Sequence, residues 1–126
     1  MKFIFIAVGG GLGALARYGL SGVAYRLWGA GFPWGTLAVN AAGAFAIGFL
    51  WSLFEGALIS TQMRTFALIG FLGSLTTFST YTLETMTLVR DGELRLAVAN
   101  VAVSNALGLA LVAAGYILAR ALTGQR

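Results

Sequence analysis

Residues 65–83 read TFALIGFLGSLTTFSTYTL, 19 positions without a single charged side chain. A helix that crosses the hydrocarbon core of a bilayer needs about 20 predominantly apolar residues. This run is long enough, and so are Leu27–Phe54 with 28 uncharged residues and Leu96–Ala119 with 24. Composition points the same way. Of 126 residues, 59% are hydrophobic and 10% charged, with a mean hydropathy of +0.87. Soluble domains carry about 25% charged residues, so the material for a polar shell is missing. The fold class is an all-α membrane protein.

The N-terminal run is broken once. Phe3–Ala16 is uncharged, Arg17 interrupts, and Tyr18–Tyr25 continues to Arg26. Lys2 in front and Ala14-Leu15-Ala16 behind are features of a cleaved signal peptide. Four glycines among positions 9–13 break the usual leucine-rich core, and a retained first helix is the better reading. Four spans result, at about 3–26, 35–54, 66–89 and 96–119, forming one transmembrane domain over 1–126. Their connections are Gly29–Gly35, which holds the only proline, Glu55–Arg64 and Arg90–Arg95. None has room for an extramembrane domain.

Lipid cannot satisfy backbone amides, so spanning segments are helices or closed barrels. Barrel strands alternate polar and apolar residues; Ala106–Ala114 does not. The 18 glycines suit close helix packing. Gly9-Gly10-Gly11-Leu12-Gly13 has no following lysine and hydroxyl in the phosphate-loop arrangement, so it is read as a packing surface.

Counted from the side where the chain starts, Lys2, Arg64, Arg120 and Arg126 lie on one side, and Arg17, Arg26, Arg90 and Arg95 on or toward the other. The positive-inside rule orients a protein by an imbalance between the two, and there is none. Either a subtler signal sets orientation or the chain inserts both ways, in which case it can pair with its inverted copy. The net charge of +4 is dispersed, and no nucleic-acid partner is expected.

With no His and no Cys, the usual metal ligands, imidazole bases and thiolate nucleophiles are missing. Three of the four acids, Glu55, Asp91 and Glu93, fall in connections and only Glu84 in a span. No nucleophile and base assemble, so transport is expected rather than catalysis. The third span carries six Ser or Thr residues between positions 74 and 82, after Gly70 and Gly73. Hydroxyls in a helix often bond back to their own backbone. Six in one stretch suggest a helix interrupted near the membrane midplane, where exposed carbonyls and amides make ion sites. The polar groups of the spans are donors or neutral: Asn40, the hydroxyls of the third span, and Asn100, Ser104 and Asn105. Phe78 and Tyr81 share a helix face. Ring edges are electropositive and can flank an anion, and the surrounding hydroxyls favour this over plain packing.

These residues also carry a family likeness. Gly73-Ser74-Leu75-Thr76-Thr77-Phe78-Ser79-Thr80-Tyr81 closely resembles the signature of the Fluc (CrcB) fluoride channels. Gly35-Thr36-Leu37-Ala38-Val39-Asn40, with Gly43 after it, resembles that family's second-helix motif. Gly9-Gly10-Gly11-Leu12-Gly13-Ala14-Leu15-Ala16-Arg17-Tyr18 is similar to its first-helix pattern, and the likeness runs from about residue 9 to residue 116.

The resemblance implies an antiparallel, dual-topology homodimer with two fluoride pores in the plasma (inner) membrane. It implies a passive channel that exports fluoride from the cytoplasm and relieves its toxicity. Phe78 and Tyr81 take the places of the pore-lining aromatics, contributed from both subunits, and Asn40 that of the pore asparagine. Thr36, Ser79, Thr80 and Ser104 are candidates for a polar track. Gly73 and Thr76 fall at the helix break, where backbone carbonyls hold a structural sodium ion on the dimer axis. Arg17 is a candidate for an electropositive vestibule. The family commonly has phenylalanine where this chain has Tyr81, whose hydroxyl either donates to fluoride or fills the pore. Glu84 matches a family acid, and its alternative role is pairing with a polar neighbour or Arg17. The rival function is a small dual-topology cation or multidrug exporter, which needs an acid in the first helix where this chain has Arg17. A non-transporting assembly subunit is a third reading, and it leaves the hydroxyl track without a purpose.

Overall fold

The computed structural model describes residues 1–124. Arg126, counted above with the charges of the first side, lies outside the described residues. In chain order the elements are α1 (Lys2–Trp28), α2 (Trp34–Gly56), α3 (Thr61–Arg64), a π-helical stretch (Thr65–Leu72), α4 (Gly73–Leu75), α5 (Phe78–Arg90) and α6 (Leu94–Thr123). Four spans among the described residues are long and apolar enough to cross a membrane: α1, α2, the composite Thr61–Arg90, and α6. This is the expected all-α, four-span architecture, with the third span bent.

Each helix runs past the limits read from the sequence, and the connections shrink to match. Most of those limits stood beside a charged residue, but Lys, Arg and Glu are good helix formers. Their long side chains reach water from a helix that is still inside the interface. Glu55 therefore sits in the last turn of α2 rather than in a connection. At the start of α2, Pro33 is the cap and its carbonyl accepts from the Leu37 N–H.

Glycines set the distances between helices. A Cβ on Gly48 of α2 would lie 2.1 Å from the Val112 carbonyl oxygen of α6, and one on Gly115 of α6 would lie 2.2 Å from the Phe45 oxygen of α2. The two helices therefore touch backbone to backbone, each through a gap in the other. The same holds between α1 and the π-helical stretch, where a Cβ on Gly13 would meet the Phe71 oxygen at 2.2 Å. Lipid tails are as apolar as the side chains, so such close van der Waals contact is what holds helices together there.

The third span is interrupted at Thr76–Thr77. Thr76 (φ −83°, ψ 155°) and Thr77 (φ −148°, ψ 116°) are extended, a conformation that suits β-branched residues. On the near side, the Thr76 N–H and hydroxyl both donate to the Leu72 carbonyl, at 3.1 and 3.0 Å. On the far side, the Thr77 hydroxyl oxygen accepts from the Thr80 N–H at 3.2 Å and caps α5. One threonine closes a helix and the next opens another.

Candidate functional site

The break is braced from α2. Asn40 Oδ1 accepts the Thr77 N–H at 2.7 Å, and Asn40 Nδ2 donates to the Thr77 carbonyl at 3.0 Å. One side-chain amide thus pairs with both polar groups of one residue, as a neighbouring strand would. That uses one of the two amide hydrogens of Asn40, and the other makes no hydrogen bond among the described residues. The sequence likeness assigns Asn40 to the anion; the geometry gives it the bend as well.

A groove of about 390 Å³ opens beside the break, lined by Asn40, Gly43, Leu72, Gly73, Thr76 and Phe78 among others. Gly43 allows it: a Cβ there would lie 2.2 Å from Thr76 Cγ2. Gly73 stands in the last helical turn before the break and Thr76 at the break itself. The last four carbonyls of a helix have no intrahelical donor, and no backbone or side-chain donor among the described residues reaches the carbonyls of Gly73–Thr76. A row of oxygens without partners suits a hard cation, which takes oxygen ligands. Among the described residues no group of His, Cys, Asp and Glu is placed to hold a metal.

Beyond the break, Phe78 and Tyr81 lie with ring centroids 5.6 Å apart and planes tilted by 48°. Phe78 is 77% exposed in the single chain. Thr77 Oγ donates to Thr80 Oγ at 2.9 Å and lies 3.4 Å from Ser79 Oγ. The hydroxyls of Thr77, Ser79 and Thr80 therefore form one cluster at the start of α5.

Further along α5, a polar ladder ties it to α6. Thr85 Oγ donates to the Tyr81 carbonyl at 2.8 Å and accepts from Asn100 Nδ2 at 2.9 Å. Ser104 donates to Asn100 Oδ1 at 3.2 Å, and Asn105 Nδ2 donates to the Tyr81 hydroxyl at 3.2 Å. Asn100 is only 2% exposed. Ser104 thus belongs to this ladder, a step away from the hydroxyl cluster at the break. Thr36 is buried in the first turn of α2, where Gly35 abuts the Tyr25 ring.

Glu84 accepts from the Tyr25 hydroxyl at 2.9 Å, so its partner within the chain is Tyr25 and not Arg17. Its second oxygen is enclosed without a partner. Arg17 is half-buried on α1 and makes no ion pair among the described residues. Two contributors escaped the sequence reading. Thr85 had a signal, lying one turn after Tyr81 on the same face. Tyr25 had none, because its partner is 59 residues away.

The model of the CrcB-like protein, Camphor Resistance (CrcB) family matches residues 4–116. A protein of Salinibacter ruber called fluoride-specific ion channel FluC is 52% identical over 126 residues, covering 98% of this chain and 93% of its own. Proteins with the same name from Geotalea uraniireducens and Desulforapulum autotrophicum are 51% and 48% identical over 120 residues, each covering 94% of this chain and 97% and 96% of their own. Matched almost from end to end, with its broken third helix inside the matched region, the chain belongs to the CrcB family.

Proposed function

We propose that this protein is a passive, fluoride-selective channel of the inner membrane that lets fluoride leave the cytoplasm and so relieves its toxicity. The names of its relatives support this, and one observation of its own carries it. A cluster of hydroxyls and two aromatic rings stand at a helix break, within a stretch, 65–83, that has no charged side chain. Fluoride holds its hydration tightly, so a pore for it has to replace water with small, strong donors. The hydroxyls of Ser79 and Thr80 and the second amide hydrogen of Asn40 are of that kind, and the ring edges of Phe78 and Tyr81 add positive potential without a trapping charge. No coupling device is needed: a negative interior drives an anion outward with about 2.3 kcal/mol per 100 mV.

The working unit in this reading is an antiparallel homodimer. α5 buries none of its residues fully in the single chain, and Phe78, Ser79 and Asn105 are all exposed. Polar side chains facing lipid are costly, so a second copy over this face supports the assembly better than bare lipid does. Inversion of that copy agrees with the lack of a charge bias between the sides. In such a pair, the carbonyls of Gly73 and Thr76 from both copies would hold sodium, whose positive charge offsets the dipoles of the facing helix ends. Arg17 would add positive potential at the approach to the pore. The cation exporter is not favoured, since its required acid in the first helix is absent.

Purified protein in liposomes loaded with fluoride tests the reading. Rapid fluoride efflux with chloride retained is expected. No fluoride efflux, or chloride crossing equally fast, overturns it.

A further inference from the structure

Tyr81 carries a hydroxyl that the pore role of a ring edge does not need, and that hydroxyl has a specific partner. Asn105 Nδ2 donates to it at 3.2 Å and to the Val101 carbonyl, one turn back on α6, at 2.8 Å. The backbone bond fixes the Asn105 side chain against its own helix, so the amide meets Tyr81 from a held position. The phenol oxygen already accepts, and it donates to no acceptor among the described residues. A phenol has one proton, and with Asn105 on its lone pair that proton points away from Asn105. An O–H that accepts one hydrogen bond also becomes a stronger donor. Asn105 is exposed within a membrane span, a costly placement for an amide unless it serves a neighbour.

We infer that Asn105 is a positioning residue that turns the Tyr81 hydroxyl into an oriented donor for a small anion. The inference rests on the channel function above and adds to it a second donor site, one span-turn beyond the hydroxyls of the break. Tyr81 touches the ion through its proton, and Asn105 acts only through Tyr81.

The test compares wild-type protein with Tyr81→Phe, Asn105→Leu and the double variant in fluoride efflux from liposomes. Both single variants are expected to slow efflux about tenfold, the scale of one hydrogen bond to a charged group. The double variant is expected to be no slower than Tyr81→Phe. Asn105→Gln, which keeps a donor, should recover much of the flux and shows that the loss is not one of folding. Ultraviolet resonance Raman difference spectra, wild type minus Tyr81→Phe, isolate this phenol. It should read as an acceptor without fluoride and as a donor as well when fluoride is added. Wild-type flux in Asn105→Leu, a double variant that multiplies the two losses, or a phenol that does not respond to fluoride overturns the inference. Wild-type protein that moves no fluoride overturns the channel function instead, while the Raman signature of the fluoride-free protein still tests the Tyr81–Asn105 pair.

Discussion

At residue scale, the side chains around the break divide into those that shape it and those that face outward from it. Phe78 is the clearest of the second kind. It is mostly exposed and, among the described residues, makes its only ring contact with Tyr81, so little of the fold depends on it. Phe78→Ile should therefore abolish fluoride flux while the protein still purifies with a normal melting temperature; unchanged flux would remove this ring from the pathway. Asn40 belongs to the first kind. Asn40→Ala strands the N–H and carbonyl of Thr77, and each unsatisfied buried group costs about 1–3 kcal/mol. Its thermal melt in detergent should fall by several degrees, a loss that Phe78→Ile does not share.

At the scale of elements, the glycines offer a sharp contrast. Gly115 and Gly108 both lie on α6, yet a Cβ at Gly115 would meet the α2 backbone whereas one at Gly108 has nothing within 4 Å. Gly115→Leu should cost the fold, seen as loss of the monodisperse peak in size-exclusion chromatography. Gly108→Ala should be neutral or gain up to about 1 kcal/mol through helix propensity. The elements also show what a sequence can and cannot convey. Four spans were visible because lipid leaves a stretch such as 65–83 no alternative to a helix. The break was visible because Thr76 and Thr77 sit in a run of hydroxyls after Gly70 and Gly73. The π-helical turns of Thr65–Leu72 were not, since this stretch packs against the glycines of α1 across the fold and nothing in its own apolar residues marks the wider winding. The Asn40–Thr77 brace spans 37 positions and the Tyr25–Glu84 bond 59. Which side chains meet at such separations depends on the rotation of each helix about its axis, and periodicity alone does not specify that in segments that are apolar all round.

At the scale of the molecule, the dispersed charge bears on how each copy inserts. If the working unit pairs opposite orientations, each copy must insert in both. Orientation follows the balance of Lys and Arg between short flanks, so a few added charges should tip it. Three lysines added beside Lys2 should leave most copies facing one way and lower fluoride flux in membrane vesicles severely. Three lysines added within 91–93 should do the same with the opposite bias. Co-expression of the two variants should restore flux; full activity of either one alone would rule out an inverted pair.

The brace on Thr77 bears on control as well as on shape. A single amide occupies the N–H and the oxygen of one residue at the bend, and the threonines on either side finish one helix and begin the next. Straightening the chain there means giving up all of these together. On the proposed function, the bend is then a fixed wall of the conduit, and flow past it follows the concentration and voltage across the membrane.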